Sequence, residues 1–145
     1  MSAARTRGVA AACAVPTVAT ALAARAVLDG DPGKYAGDAL YTVLVHALVV
    51  LVAPRVRPAL AAGAALVLSC AVEVAQLTGV PAGLSARSEV FRLVLGSTFN
   101  APDLLWYAVG AAFSWGVHRS SRRWAVATAT GRSAQASGRV RPSDS

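Results

Sequence analysis

Charge is what this sequence has least of. Only 14% of its 145 residues are Asp, Glu, Lys or Arg and 55% are hydrophobic, whereas a soluble domain carries about 25% charge. Such a chain is not a disordered tail, and it lacks the polar surface of a soluble enzyme. Lysine is nearly missing: thirteen of the fourteen basic residues are Arg, and the exception is Lys34. Cysteine is scarce as well. Cys13 and Cys70 lie in separate apolar stretches, without the spacing of a metal site or a disulfide framework, and read as small buried hydrophobes. There is no phosphate-binding glycine loop, paired-histidine motif or nucleophile elbow. His46 and His118 stand alone, and a lone histidine packs or lies at an interface more often than it binds metal. No metal and no cofactor is expected.

What is abundant is apolar sequence in runs. Four stretches of about 15–20 residues use most of the chain, which predicts an all-α polytopic membrane protein, a bundle of four transmembrane helices. The spans are placed at about 8–28, 36–53, 59–77 and 102–118. Arg5 and Arg7 open the first, and Pro16 interrupts it with a tolerable kink. A cleaved signal peptide is the competing reading of that stretch, since Ala21-Leu22-Ala23 resembles a cleavage site; a retained anchor is expected. Asp29-Gly30-Asp31-Pro32-Gly33-Lys34 reads as a turn, and Pro54-Arg55-Val56-Arg57-Pro58 as a rigid basic hairpin. Around Gly63 the third span is rich in small residues that would allow close helix approach. Between the third and fourth spans, Val90 to Leu95 is too short to cross and is read as an interfacial or re-entrant helix. Trp106 and Trp124, about 27 Å apart on a continuous helix, could mark two interfacial belts. Residues 119–145 read as a basic, disordered cytoplasmic tail.

The net charge of +7 is not spread over the chain. Its excess lies in three groups: Arg5 and Arg7; Arg55 and Arg57; and the residues from Arg119 onward. Basic clusters separated by apolar runs mark cytoplasmic helix ends, so both termini are placed in the cytoplasm of a multi-pass protein of the cell membrane. No aromatic residues interleave with a basic groove, so nucleic acid is not expected as a partner; the lipid bilayer is.

In that topology the remaining polar residues converge on the outer leaflet. Asp38 begins the second span, Glu73 and Gln76 end the third, Arg87 and Arg92 lie in the connection, and Asp103 begins the fourth. Asp38 and Tyr41, Glu73 and Gln76, and Asp103 and Tyr107 are spaced three or four apart, so each pair shares a helix face. Ionisable groups in apolar helices are costly unless paired, which makes these six residues, with Arg87, the candidate polar site. Asp38 and Asp103 read equally well as helix caps. Glu73 does not, because it sits at the unfavourable end of its helix. Arg87 is its expected partner, since a guanidinium satisfies a carboxylate with two parallel bonds.

The order of short motifs then resembles a known family. Tyr35-Ala36-Gly37-Asp38-Ala39-Leu40-Tyr41, Glu73-Val74-Ala75-Gln76-Leu77, Arg87, and Leu93-Val94-Leu95-Gly96 with Phe99, Asp103, Tyr107 and Gly110 look like the pattern of DUF2809, small bacterial membrane proteins of unknown function. The likeness covers roughly Leu28 to Phe113. The Glu-x-x-Gln pair, the following Arg and Asp-x-x-x-Tyr-x-x-Gly are also similar to the VanZ-like family linked to glycopeptide resistance, where Asn usually stands at the Tyr107 position and the Arg-to-Asp interval is shorter. Neither resemblance implies a reaction. The expected function is a binding or structural role, in which the outer polar site holds a lipid or cell-envelope headgroup. An enzyme acting on such a lipid through Glu73 or Asp103, with Arg87 on a phosphate, is the alternative. Ion or proton transport is set aside, since only His46 and Ser69 are expected to lie deep.

Overall fold

A bilayer offers the backbone no water, so an apolar chain must satisfy its own N–H and C=O groups, and this one does so with helices. The structure, a computed structural model, describes residues 2–28, 30–95 and 98–137, with backbone only at 25, 93, 125 and 129–137. Among the described residues all regular structure is helical: α1 (Ala3–Val27), α2 (Asp31–Val52), α3 (Pro58–Ala75), a single 3₁₀ turn (Gln76–Thr78), α4 (Val80–Ser85), α5 (Glu89–Leu95) and α6 (Ala101–Ser137). Three segments, Ala3–Ala24, Asp31–Val52 and Pro58–Thr78, are long and apolar enough to cross a membrane. Although α6 is longer than any of these, Asp103, Trp106, Tyr107, Ser114, Trp115 and His118 dilute its apolar character.

Two boundaries differ from the sequence expectation in ways that matter for the site. The expected turn at 29–34 is helical from Asp31 onward, because Pro in a first helical turn lacks only a hydrogen bond it would not have made, and Asp31 complements the helix dipole. Lys34 therefore stands on α2, one turn before Asp38. Nor do Arg119, Arg122 and Arg123 stop the last helix: α6 runs to Ser137, since Arg and Ala are strong helix formers and neither Gly nor Pro occurs from Ser120 to Ala129. Its 37 residues make a rod of about 55 Å, well beyond the roughly 30 Å of a hydrocarbon core. The expected short helix at 90–95 is present as α5, preceded by α4, which had no counterpart in the hydropathy pattern. Asp29, Gly96 and the tail beyond Ser137 lie outside the described residues.

The interior is polar and small, and the exterior is large and apolar. Glu73, Thr42 and Ser69 are the largest fully buried side chains, accompanied by Ala61 and Ala65, whereas Val15, Val52, Leu60, Val67, Leu105 and Phe113 are exposed. This inversion suits lipid as the surrounding solvent, where helices associate through close packing of small residues and interhelical hydrogen bonds. The central helix α2 packs against α1, α3 and α6, and α6 also packs against α3. An apolar group of Ala10, Val50 and Ala61 joins α1, α2 and α3 at one end.

Close approach is set by Gly110 rather than by Gly63, which is exposed with open space around it. A Cβ on Gly110 would overlap the Ala39 carbonyl oxygen, so α2 and α6 touch backbone to backbone there. Gly110→Val is expected to destabilise the bundle by about 1–3 kcal/mol through overpacking, whereas Gly63→Val should stay within about 0.5 kcal/mol, as at open surface positions. Thermal aggregation in detergent compares the two, and equal midpoints would show that Gly110 is not a contact point.

Candidate functional site

One end of the bundle gathers most of the expected residues. Asp38 lies two turns into α2, too far from Gly30 at the head of the helix to be a cap. Asp103 is in the first turn of α6, is buried, and accepts a bond from the side-chain amide of Asn100. The Lys34 ammonium joins these two acids, bonding Asp38 Oδ2 at 3.2 Å and also Asp103 Oδ1. Lys34, four residues from Asp38 on one helix face, thereby ties α2 to the head of α6.

Glu73 is the deepest member, with 1% of its surface exposed. Its carboxylate is fully engaged: Oε1 accepts the backbone N–H of Asn100, and Oε2 accepts the Tyr107 hydroxyl at 3.0 Å. The sequence had placed Glu73 against an unfavourable dipole at the end of α3. It does lie there, yet the side chain crosses to the amino end of α6, where unpaired N–H groups and the dipole both favour an anion. Tyr107 also packs against Tyr41, with ring centroids 6.2 Å apart, and Tyr35 stacks on Trp106 at 5.3 Å.

Gln76 points elsewhere. Its Nε2 donates to the Leu95 carbonyl at 2.7 Å, holding the end of α5 against the end of α3, while its buried Oε1 has no partner among the described residues. Arg87 is not part of the cluster. It is exposed just beyond α4 and makes no ion pair among the described residues, while Arg92 pairs with Glu89 within α5. The expected Arg87–Glu73 pair is thus replaced by two neutral donors on Glu73 and by Lys34 on the neighbouring acids. Lys34 was missed because the Pro32-Gly33 sequence suggested a turn; its four-residue spacing from Asp38 was the available signal.

Deeper in the bundle are polar contacts between helices that the sequence did not suggest. Thr42 donates to Ser69 Oγ at 3.1 Å, joining α2 to α3, and His46 Nε2 lies 3.2 Å from His118 Nδ1, joining α2 to α6. At the opposite end, Arg7 donates to the Leu51 carbonyl at 3.0 Å and Arg122 to the Val56 carbonyl at 3.1 Å. Among the described residues no group of three or more His, Cys, Asp or Glu side chains could hold a metal ion.

Residues 30–111 match the family described as Protein of unknown function (DUF2809). The chain belongs to that family. No curated protein and no solved structure matches the chain. The DUF2809 region contains α2 and α3 entire and the first part of α6, and with them Lys34, Asp38, Glu73, Asp103 and Tyr107.

The carboxylates differ in what their removal should cost. Glu73→Gln keeps an acceptor for Asn100 and lets Tyr107 rotate to accept, so a small loss is expected; Glu73→Leu strands a buried N–H and should cost about 1–3 kcal/mol more. Lys34→Met leaves two acids facing each other, and its expected cost of about 1–3 kcal/mol lies between the exposed and buried limits because 35% of the Lys34 side chain is exposed. Combined with Asp103→Asn it should cost less than the sum of the single changes. Unfolding in mixed micelles measures this cycle, and strict additivity would show that the two groups are uncoupled.

Proposed function

We propose that this DUF2809 protein is a four-span membrane protein, with both termini cytoplasmic, whose outer polar cluster holds a lipid or cell-envelope headgroup. The charge distribution supports the orientation. Arg7, Arg55, Arg57 and Arg122 gather at one end of the bundle, where Arg7 and Arg122 bond carbonyls of α2 and of the following loop. Asp38, Glu73 and Asp103 gather at the other. By the positive-inside rule the arginine end faces the cytoplasm. The fourth span is the first half of α6, whose Asp103, Tyr107 and His118 side chains are spent on contacts with α2 and α3. On this reading α4 and α5 lie at the outer interface between the third and fourth spans.

The observation that carries the binding role is the Lys34 ammonium, which is one-third exposed and lies between Asp38 and Asp103 at the rim. A rim presenting both charge signs suits a headgroup that carries both, such as an ammonium beside a phosphate. The enzyme reading has less support. Both Glu73 oxygens are committed to neutral donors, and Arg87, which would hold a phosphate, is exposed and makes no ion pair with the cluster among the described residues. Similarity to the VanZ-like family rests on the short motifs alone.

In a background with Cys13 and Cys70 replaced by Ala, single cysteines at Ser2, Asp31 and Ser133 test the orientation. A membrane-impermeant thiol reagent applied to intact cells should label only Asp31→Cys; labelling at position 133 would reverse the topology. Native mass spectrometry of the purified protein tests binding. Retained envelope lipid should be lost in Lys34→Met, and wild-type protein free of lipid would refute the headgroup reading.

A further inference from the structure

The polar residues of α2 recur every fourth position from one end of the bundle toward the other: Lys34, Asp38, Thr42 and His46. Steps of four keep side chains on one face, about 6 Å apart along the axis. Two facing stripes answer them: Ser69 and Glu73 on α3, and Asp103, Tyr107, Ser114 and His118 on α6. The stripes meet at four levels, Lys34 with Asp103, Glu73 with Tyr107, Thr42 with Ser69, and His46 with His118. Of these residues Thr42, His46, Ser69, Glu73, Asp103, Tyr107 and Ser114 are buried. The seam extends about 18 Å along α2 and about 22 Å along α6, or some two-thirds of a hydrocarbon core of about 30 Å. One more turn of α6 brings it to Arg122 at the basic end.

A stripe made only to hold helices together would not need ionisable groups at that depth, where they are expensive and characteristically mark ion or proton pathways. Ala61 and Ala65 are fully buried and α2 meets α6 backbone to backbone at Gly110 and Ala39, so the three helices pack closely around these side chains. Carboxylates, a phenol, hydroxyls and imidazoles can each both release and accept a proton. A second observation points the same way. His46, with 6% of its surface exposed, spends Nε2 on His118, while its buried Nδ1 has no partner among the described residues. A buried ring nitrogen with nothing to bond is a costly vacancy in a purely structural seam, and a useful one where a proton arrives and leaves.

We propose that α2, α3 and α6 enclose a proton path from the Asp38–Asp103 carboxylates to the His46–His118 pair. A proton taken up by a carboxylate at the outer rim passes the Glu73–Tyr107 level to the Thr42–Ser69 pair and then to His46. It crosses to His118 along the 3.2 Å contact and leaves to water near Arg122. Each transfer breaks one O–H or N–H bond and forms another, so nothing is oxidised or reduced, and the membrane potential supplies the drive. The one-turn steps above and below Thr42 are each short enough for a single bridging water. Among the described residues, charged and titratable groups facing the path include Lys34 and Tyr41 on α2, Cys70 on α3 and Arg122 on α6.

The test uses the purified full-length chain in phospholipid vesicles containing a trapped pH-sensitive dye, with a potassium gradient and valinomycin imposing an interior-negative potential. Wild-type vesicles should acidify faster than protein-free vesicles, and His46→Phe should return the rate to the protein-free value. Thr42→Val, nearly isosteric and without the hydroxyl, should do the same and serves if His46→Phe does not fold. Helical circular dichroism and elution volume identify folded variants. A wild-type rate equal to that of protein-free vesicles would overturn the proposal, as would a folded Thr42→Val or His46→Phe with the wild-type rate. Lipid retention by His46→Phe should be unchanged, so this path and the headgroup role fail separately.

Discussion

The structure turns on a buried carboxylate that has to be satisfied. Glu73 cannot be left unpaired within an apolar bundle, where the cost would be comparable with the stability of a small protein. Two donors meet that need, and both belong to the head of α6: the Asn100 backbone N–H and the Tyr107 hydroxyl. The start of α6 is therefore fixed against the end of α3, and the connection containing α4 and α5 must bring the chain back to that point. Lys34 adds a second tie from α2 to the same few residues. Three helices thus meet at one end through charge and hydrogen bonds, and the side chains along their axes are brought into register.

That register explains the inverted interior. In water, large apolar side chains would gather inside, but in lipid they gain nothing by doing so, and the inner faces are left to residues that pack closely or bond across helices. Ala61, Ala65 and Gly110 serve the first purpose, and Thr42, Ser69, His46 and His118 the second. Had α6 begun one residue earlier or later, its Tyr107 and His118 would have turned away from α2 and α3 together, since both ride on one stripe.

Much of this was legible in the sequence. Of the four apolar stretches, three are helices long and apolar enough to cross a membrane, and these with the short α5 helix follow from hydropathy, which depends only on local sequence; the convergence of Asp38, Glu73, Asp103 and Tyr107 follows from their three-or-four spacing and from the alternation of basic clusters with apolar runs. Lys34 was hidden because Asp31-Pro32-Gly33 is compatible with both a turn and a first helical turn, and only packing chooses between them. Arg87 looked like the partner of Glu73 because charge attraction is indifferent to the chain's path; the connection turns Arg87 outward and brings a backbone N–H inward instead. His118 appeared to end a span, so its meeting with His46, 72 positions away, had no local signature. The length of α6 was concealed by its arginines, which resemble a membrane boundary whether or not the helix continues.

The place of α1 has a consequence of its own. It packs on α2 and gives little to α3 or α6, most of its surface faces outward, and residues 30–111 of the family match begin beyond it. None of the groups that link α2, α3 and α6 at the polar levels comes from α1. Toward those three helices it behaves as a tethered lipid chain would, covering one flank of α2 with methyl groups and held in place at its foot by Arg7. Among the described residues, that covering reaches the interior only through Ala10, which meets Val50 and Ala61 by methyl contact and leaves the polar levels to the other three helices.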